Sequence, residues 1–175
     1  MAPETLQAAE DLPGLEERAL LLVPDAHGRR RGALLRLLRD RSAVAGPPRP
    51  WLEARSSVDR VLRAVQLDLP LDTEEHLARL VLTADAEALA DLRTRALAPL
   101  AELRPATRDK LAATLRSWLL HHGRREEIAS ELFVHPQTVR YRMGQLRELY
   151  GDRLDEPATV LELTIALGSD QPTPR

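Results

Sequence analysis

Between Gly123 and Leu149 the chain holds two short amphipathic stretches so close together that they must pack on each other. In the first, Arg125–Leu132, the residues Ile128, Ala129 and Leu132 share a face. Only Phe133, Val134 and His135 intervene before Pro136, whose fixed φ and missing N–H suit the first position of a helix. The second stretch, Gln137–Leu149, repeats apolar residues at Val139, Met143 and Leu146, the i, i+4, i+7 spacing of a buried helical stripe. A small Ala129 lets two helices approach, Val134 plugs the turn, and Val139 locks the second helix across the first. The pattern predicts a helix-turn-helix over Arg124–Leu149.

With that stripe turned inward, His135, Gln137, Thr138, Arg140, Tyr141 and Arg142 face largely outward near the start of the second helix. In helix-turn-helix proteins this end enters the major groove of DNA. Arg grips guanine O6 and N7, Gln reads adenine, and Thr, Tyr and a second Arg suit phosphates. His135, Gln137 and Arg140 are thus candidates for base edges. Thr138, Tyr141 and Arg142, with Arg124 and Arg125, are candidates for the phosphate backbone. Spacing alone leaves a plainer reading equally open, because any soluble helical hairpin shows it and outer arginines are ordinarily just solvated. Glu126, Glu127, Glu131 and Glu148 also surround the motif and would repel phosphates if they faced them. That arrangement would suit a protein-interaction module instead.

Composition narrows the setting. Aromatic residues make up only 3% of the chain against 43% hydrophobic, so the core must be Leu, Val and Ala, which favours helices. A net charge of −2 means that any positive surface for DNA is local rather than global. There is no cysteine, which excludes disulfides and thiolate chemistry. The run Ala19–Val23 is too short to span a bilayer, and the acidic N-terminus (Glu4, Glu10, Asp11) does not read as a signal peptide. A soluble, cytoplasmic protein without membrane partners is expected.

Along the chain, residues 1–17 read as a flexible leader and 169–175 as a disordered tail. Residues 18–72 read as a small α/β region. Strands are expected at Ala19–Val23 and Ser42–Gly46, and helices at Arg30–Asp40 and Trp51–Gln66. Residues 73–104 are connecting helices, announced by capping signatures at Asp72/Glu75 and at Asp85. A long helix, Pro105–His122, opens the last domain, 105–168, with Leu111, Leu115, Trp118 and Leu119 on one face. The expected fold is mainly α: a small α/β N-terminal region, then a helical C-terminal domain containing the helix-turn-helix.

Other chemistry finds little support. Adjacent His121 and His122 point about 100° apart on a helix, and the neighbouring sequence adds no Cys or carboxylate pair to complete a metal site. Arg29-Arg30-Arg31 at a helix start would oppose the macrodipole, so a solvated turn is favoured over a phosphate grip. No Gly-rich phosphate loop, nucleophile elbow or paired catalytic carboxylates occur. Neither an enzyme nor a cofactor is expected, and no small-molecule effector is evident.

The run Thr114-Leu115-Arg116-Ser117-Trp118-Leu119, followed by Ile128–Met143 with its His135-Pro136-Gln137-Thr138-Val139-Arg140-Tyr141-Arg142 core, resembles the C-terminal domain of the PucR/CdaR-like bacterial regulators. Asp155-Glu156-Pro157 and the apolar stretch Ala158–Leu167 resemble that domain's ending, with one inserted Glu. The resemblance covers about residues 110–168. More weakly, Leu20–Gln66 and Leu97–Leu100 look like the degenerate GGDEF-like region that precedes it, without the Gly-Gly-acidic signature a cyclase needs. The resemblance implies a Fis-like helix-turn-helix, binding to double-stranded DNA and regulation of transcription. Since one such domain reads a half-site, a homodimer follows as an expectation. Two departures stand out: Arg124-Arg125 replaces the usual polar cap of the first helix, and Gly144 interrupts the recognition helix.

Overall fold

A computed structural model describes residues 5–7 and 18–168. Most of the expected leader and all of the expected tail lie outside these residues. The chain divides into two compact units, Met1–Leu80 and Val81–Arg175, and its described residues are mainly α-helical.

The first unit holds β1 (Leu6–Gln7), β2 (Leu21–Leu22), α1 (Gly28–Leu38) and α2 (Ala54–Gln66), the last preceded by a 3-10 turn at Trp51–Glu53. Its strands are shorter than the sequence predicts. β1 pairs antiparallel with β2 through Leu6↔Leu22 and Gln7↔Leu21, so part of the expected leader belongs to this ladder. The expected strand at Ser42–Gly46 shrinks to a single parallel bridge, Ala45↔Asp72. Gly46 explains the close fit beside that bridge: a Cβ there would lie 2.9 Å from both the Ser57 carbonyl oxygen and Val61 Cγ2 of α2. The Ser57 hydroxyl also donates to the Pro47 carbonyl at 2.8 Å.

Arg31 supplies much of this unit's cohesion. Its guanidinium donates to the Gly46 carbonyl at 2.7 Å and pairs with Asp72 at 2.6 Å and Glu74 at 3.1 Å. Arg30, by contrast, makes only an exposed pair with Asp25. The basic cluster therefore splits: Arg30 is solvated as expected, whereas Arg31 is a half-buried brace. Asp72 meanwhile accepts from the Glu74 N–H, capping the 3-10 turn Thr73–His76 that leads into α3 (Leu77–Leu82).

The second unit is an interlocked set of helices: α4 (Ala86–Ala96), α5 (Pro105–Leu120), α6 (Arg125–Glu131), α7 (Pro136–Tyr150) and α8 (Pro157–Gly168). Asp85 caps α4 through the Ala88 N–H at 2.9 Å, the role its position predicts. Leu111 and Leu115 of α5, Ile128 of α6, Val139, Met143 and Leu146 of α7, and Leu163 and Leu167 of α8 form one continuous core. Each such side chain contributes about 1.5–3 kcal/mol by leaving water. The strongly apolar α8 closes the unit by packing against α4 and α5. Tyr150, buried at the end of α7, donates to the Ala96 carbonyl at 3.0 Å and ties that end to α4. Loss of water around the phenol pushes its pKa up to about 12, so it stays a donor.

Among the described residues, no helix is long and apolar enough to cross a membrane.

Candidate nucleic-acid interface

The helix-turn-helix is assembled from the α5–α6 junction onward. α5 ends where His122 and Gly123 both adopt positive φ, 50° and 74°. Gly123 is needed at that point: a Cβ would sit 3.1 Å from the Trp118 indole nitrogen, in a backbone conformation side chains rarely accept. The following α6 has no side-chain cap at Arg124, as its sequence foretells. Arg124 instead pairs with Glu127 at 2.9 Å and donates to the His121 carbonyl at 3.3 Å.

A polar cluster locks α6 against α5. The Ser117 hydroxyl donates to Glu131, whose carboxylate also meets His121 Nε2 at 2.9 Å and Arg116 at 3.5 Å. His121 Nδ1 lies 3.0 Å from Glu127. The Ser117 hydroxyl, with help from His121 and Arg116, holds the Glu131 carboxyl below its ordinary range despite partial burial. The carboxylate pair that the local sequence does not offer to His121 is thus present in space, six and ten residues onward. It binds the imidazole ring itself, and no metal-holding cluster occurs among the described residues.

The turn and second helix follow the expected logic. Ala129 and Val139 are buried where α6 and α7 meet, and the Val134 N–H bonds back to the Ala129 carbonyl at 3.0 Å. Phe133 occupies the turn at φ 52° with 96% of its surface exposed. α7 begins with His135 as its cap: the ring Nδ1 accepts from the Gln137 N–H at 3.2 Å, and Pro136 takes the first position. Because Nδ1 accepts there, the ring's proton lies on Nε2.

Of the side chains expected to face DNA, His135, Gln137, Arg140 and Tyr141 are exposed along the first turns of α7, and Thr138 is half-exposed. Arg125 is exposed at the start of α6. Arg142 differs from the outward position its spacing suggests. It is half-buried, and its guanidinium donates to Thr114 Oγ1 of α5 at 3.3 Å. Arg124 is engaged with Glu127 rather than free. Among the described residues neither Arg140 nor Arg142 pairs with a carboxylate, since Glu127 and Glu131 are turned toward His121, Arg116 and Arg124. Sequence spacing misses the Thr114–Arg142 link and the His121 cluster because both join separate helices. The signal that sequence offers is Thr114 itself, a hydroxyl residue three positions after Leu111 and four before Trp118.

An uncharacterised protein of Mycobacterium tuberculosis is 34% identical over 152 residues, 81% of this chain and 36% of that protein. A protein encoded in the pkwA 5′ region of Thermomonospora curvata is 36% identical over 108 residues, 60% of this chain and 58% of its own. The purine catabolism regulatory protein of Bacillus subtilis is 40% identical over 57 residues, 33% of this chain and 11% of its own. The chain thus spans about a third of the length of the mycobacterial relative. No solved structure matches. Residues 111–168, the segment from α5 through α8, match the PucR C-terminal helix-turn-helix domain.

Proposed function

We propose that this chain is a sequence-specific, non-enzymatic transcriptional regulator that reads duplex DNA with residues 136–149. The observation that carries the proposal is the row His135, Gln137, Arg140 and Tyr141, exposed at the start of α7 with, among the described residues, no carboxylate paired to Arg140. Its position in a segment matching a regulator's helix-turn-helix domain supports the same reading. His135, Gln137 and Arg140 are assigned to base edges, His135 through its Nε2–H, since Nδ1 is used as the helix cap. Thr138, Tyr141, Arg142, Arg124 and Arg125 are assigned to phosphates, Arg124 after it leaves Glu127. One such domain reads a half-site, so the working form is a cytoplasmic homodimer on a two-part operator. The first unit is assigned as a degenerate GGDEF-like remnant, supported by its strand–helix–bridge–helix order.

The test is a mobility shift of the full chain against genomic fragments, followed by selection of the bound sequence. Retention of a defined sequence at moderate salt supports the proposal. A second reading, a protein-interaction module on the same scaffold, is favoured by one observation: Phe133, a large apolar side chain, stands exposed in the turn. Failure to retain any duplex would leave that reading in place.

A further inference from the structure

One buried polar contact joins α5 to α7. Thr114 is fully buried on α5, among Leu111 and Leu115, and has no surface from which to touch a ligand. Its hydroxyl donates to the Lys110 carbonyl at 2.8 Å, which uses its only proton. Its lone pairs are then free to accept, and Arg142 Nη1 donates to them at 3.3 Å. The donor and acceptor roles close without conflict. Among the described residues the contact with Thr114 is the hydrogen bond that the Arg142 guanidinium makes to its own protein, and a guanidinium has five N–H groups, so others are left for an outside acceptor.

We infer that Thr114 is a positioning residue for DNA reading, acting through Arg142 to aim a guanidinium at a phosphate beside α7. The inference rests on the proposed DNA reading of that helix. A free arginine side chain carries about 2 kcal/mol of rotamer entropy that binding must remove. Anchoring it to a buried hydroxyl removes part of that cost before DNA arrives. The tether also crosses from α5 to α7, so it fixes the guanidinium relative to the whole core and not only to its own helix.

The test is a double-mutant cycle on the full chain with the duplex that the wild type selects. Thr114→Val keeps the shape and removes the hydroxyl. It is expected to weaken binding by about tenfold, the scale of one charge-assisted hydrogen bond. In an Arg142→Ala background the same change should have almost no further effect, because the residue it acts through is gone. Thr114→Ser should restore wild-type affinity. Full affinity in Thr114→Val, or an equal loss in both backgrounds, overturns the inference while leaving the DNA reading intact. A wild type that binds no duplex overturns both. Should Thr114→Val not fold, Thr114→Ala takes its place in the cycle with the same criteria.

Discussion

The two units of this chain keep their apolar residues in different ways. In Val81–Arg175, side chains from α4 through α8 meet in one dry core, with Leu100, Leu115, Leu146 and Leu163 entirely out of water. Among the described residues of Met1–Leu80 the buried cluster is only Ala64, Leu69 and Leu80, α1 has no buried residue, and Leu37, Trp51 and Leu52 stand exposed. An open cleft of about 1240 Å³ lies between α1, α2 and β2. There the structure depends on polar geometry, chiefly the Arg31 brace and the tight seat of Gly46. The difference teaches that repeated apolar spacing specifies a fold directly. A unit with little dry core relies on a few singular contacts.

Substitutions can break that comparison. Leu146→Ala removes a fully buried side chain at the centre of the second unit and should cost about 3–5 kcal/mol in denaturant unfolding. Leu37→Ala on the first unit's surface should change stability by under about 0.5 kcal/mol. Equal losses would erase the distinction. Arg31→Ala is next in size. It strips the partner from Asp72, whose side chain is 11% exposed, and should destabilise the first unit by about 3 kcal/mol. Hydrogen exchange should then show faster opening in α1 and residues 72–76. Unchanged exchange there would mean that the brace is dispensable.

Smaller effects sharpen the account of the second unit. A Cβ at Gly144 would meet nothing within 4 Å, so Gly144→Ala should raise stability by about 1 kcal/mol through helix propensity alone. A fall in melting temperature would show that the glycine serves packing after all. The smallest effect is with acid. The pKa of Glu131 is lowered in the folded state from an ordinary 4.5. Its contribution is therefore complete above about pH 4.5 and is lost as pH falls below that through the folded value. With the carboxylate about a third exposed, the loss should stay under about 1 kcal/mol. Glu131→Gln should remove this part of the acid sensitivity, measured as stability against pH. An identical profile in the variant would count against the Ser117–Glu131–His121 cluster as its source.

Legibility in the sequence followed the same division. The helix-turn-helix was readable because its determinants are local: Ala129, Val134, Pro136, Val139 and Met143 act at fixed spacing within one short segment. The capping roles of Asp72 and Asp85 were readable for the same reason. Strand length in the first unit was not. β-branched and apolar residues at Ala19–Val23 and Ser42–Gly46 satisfy a strand pattern, yet pairing needs a partner that sequence alone does not place. Arg31 looked like one of three solvated arginines because Asp72 lies 41 residues away. At the candidate site, His135, Gln137, Arg140 and Tyr141 stand exposed, the orientation that helical spacing gives them. For Arg142 the helical spacing gave a direction, but the tether to Thr114 on another helix decided the actual one.

The central claim is that the start of α7 reads DNA, and Arg140 tests it most directly because, among the described residues, no carboxylate pairs with it. The measurement is fluorescence anisotropy of the wild type and Arg140→Ala on the selected duplex and on one altered base pair. The account predicts that Arg140→Ala loses about 1–3 kcal/mol on the selected duplex and discriminates less between the two. Equal affinity and equal discrimination in the two proteins would contradict it.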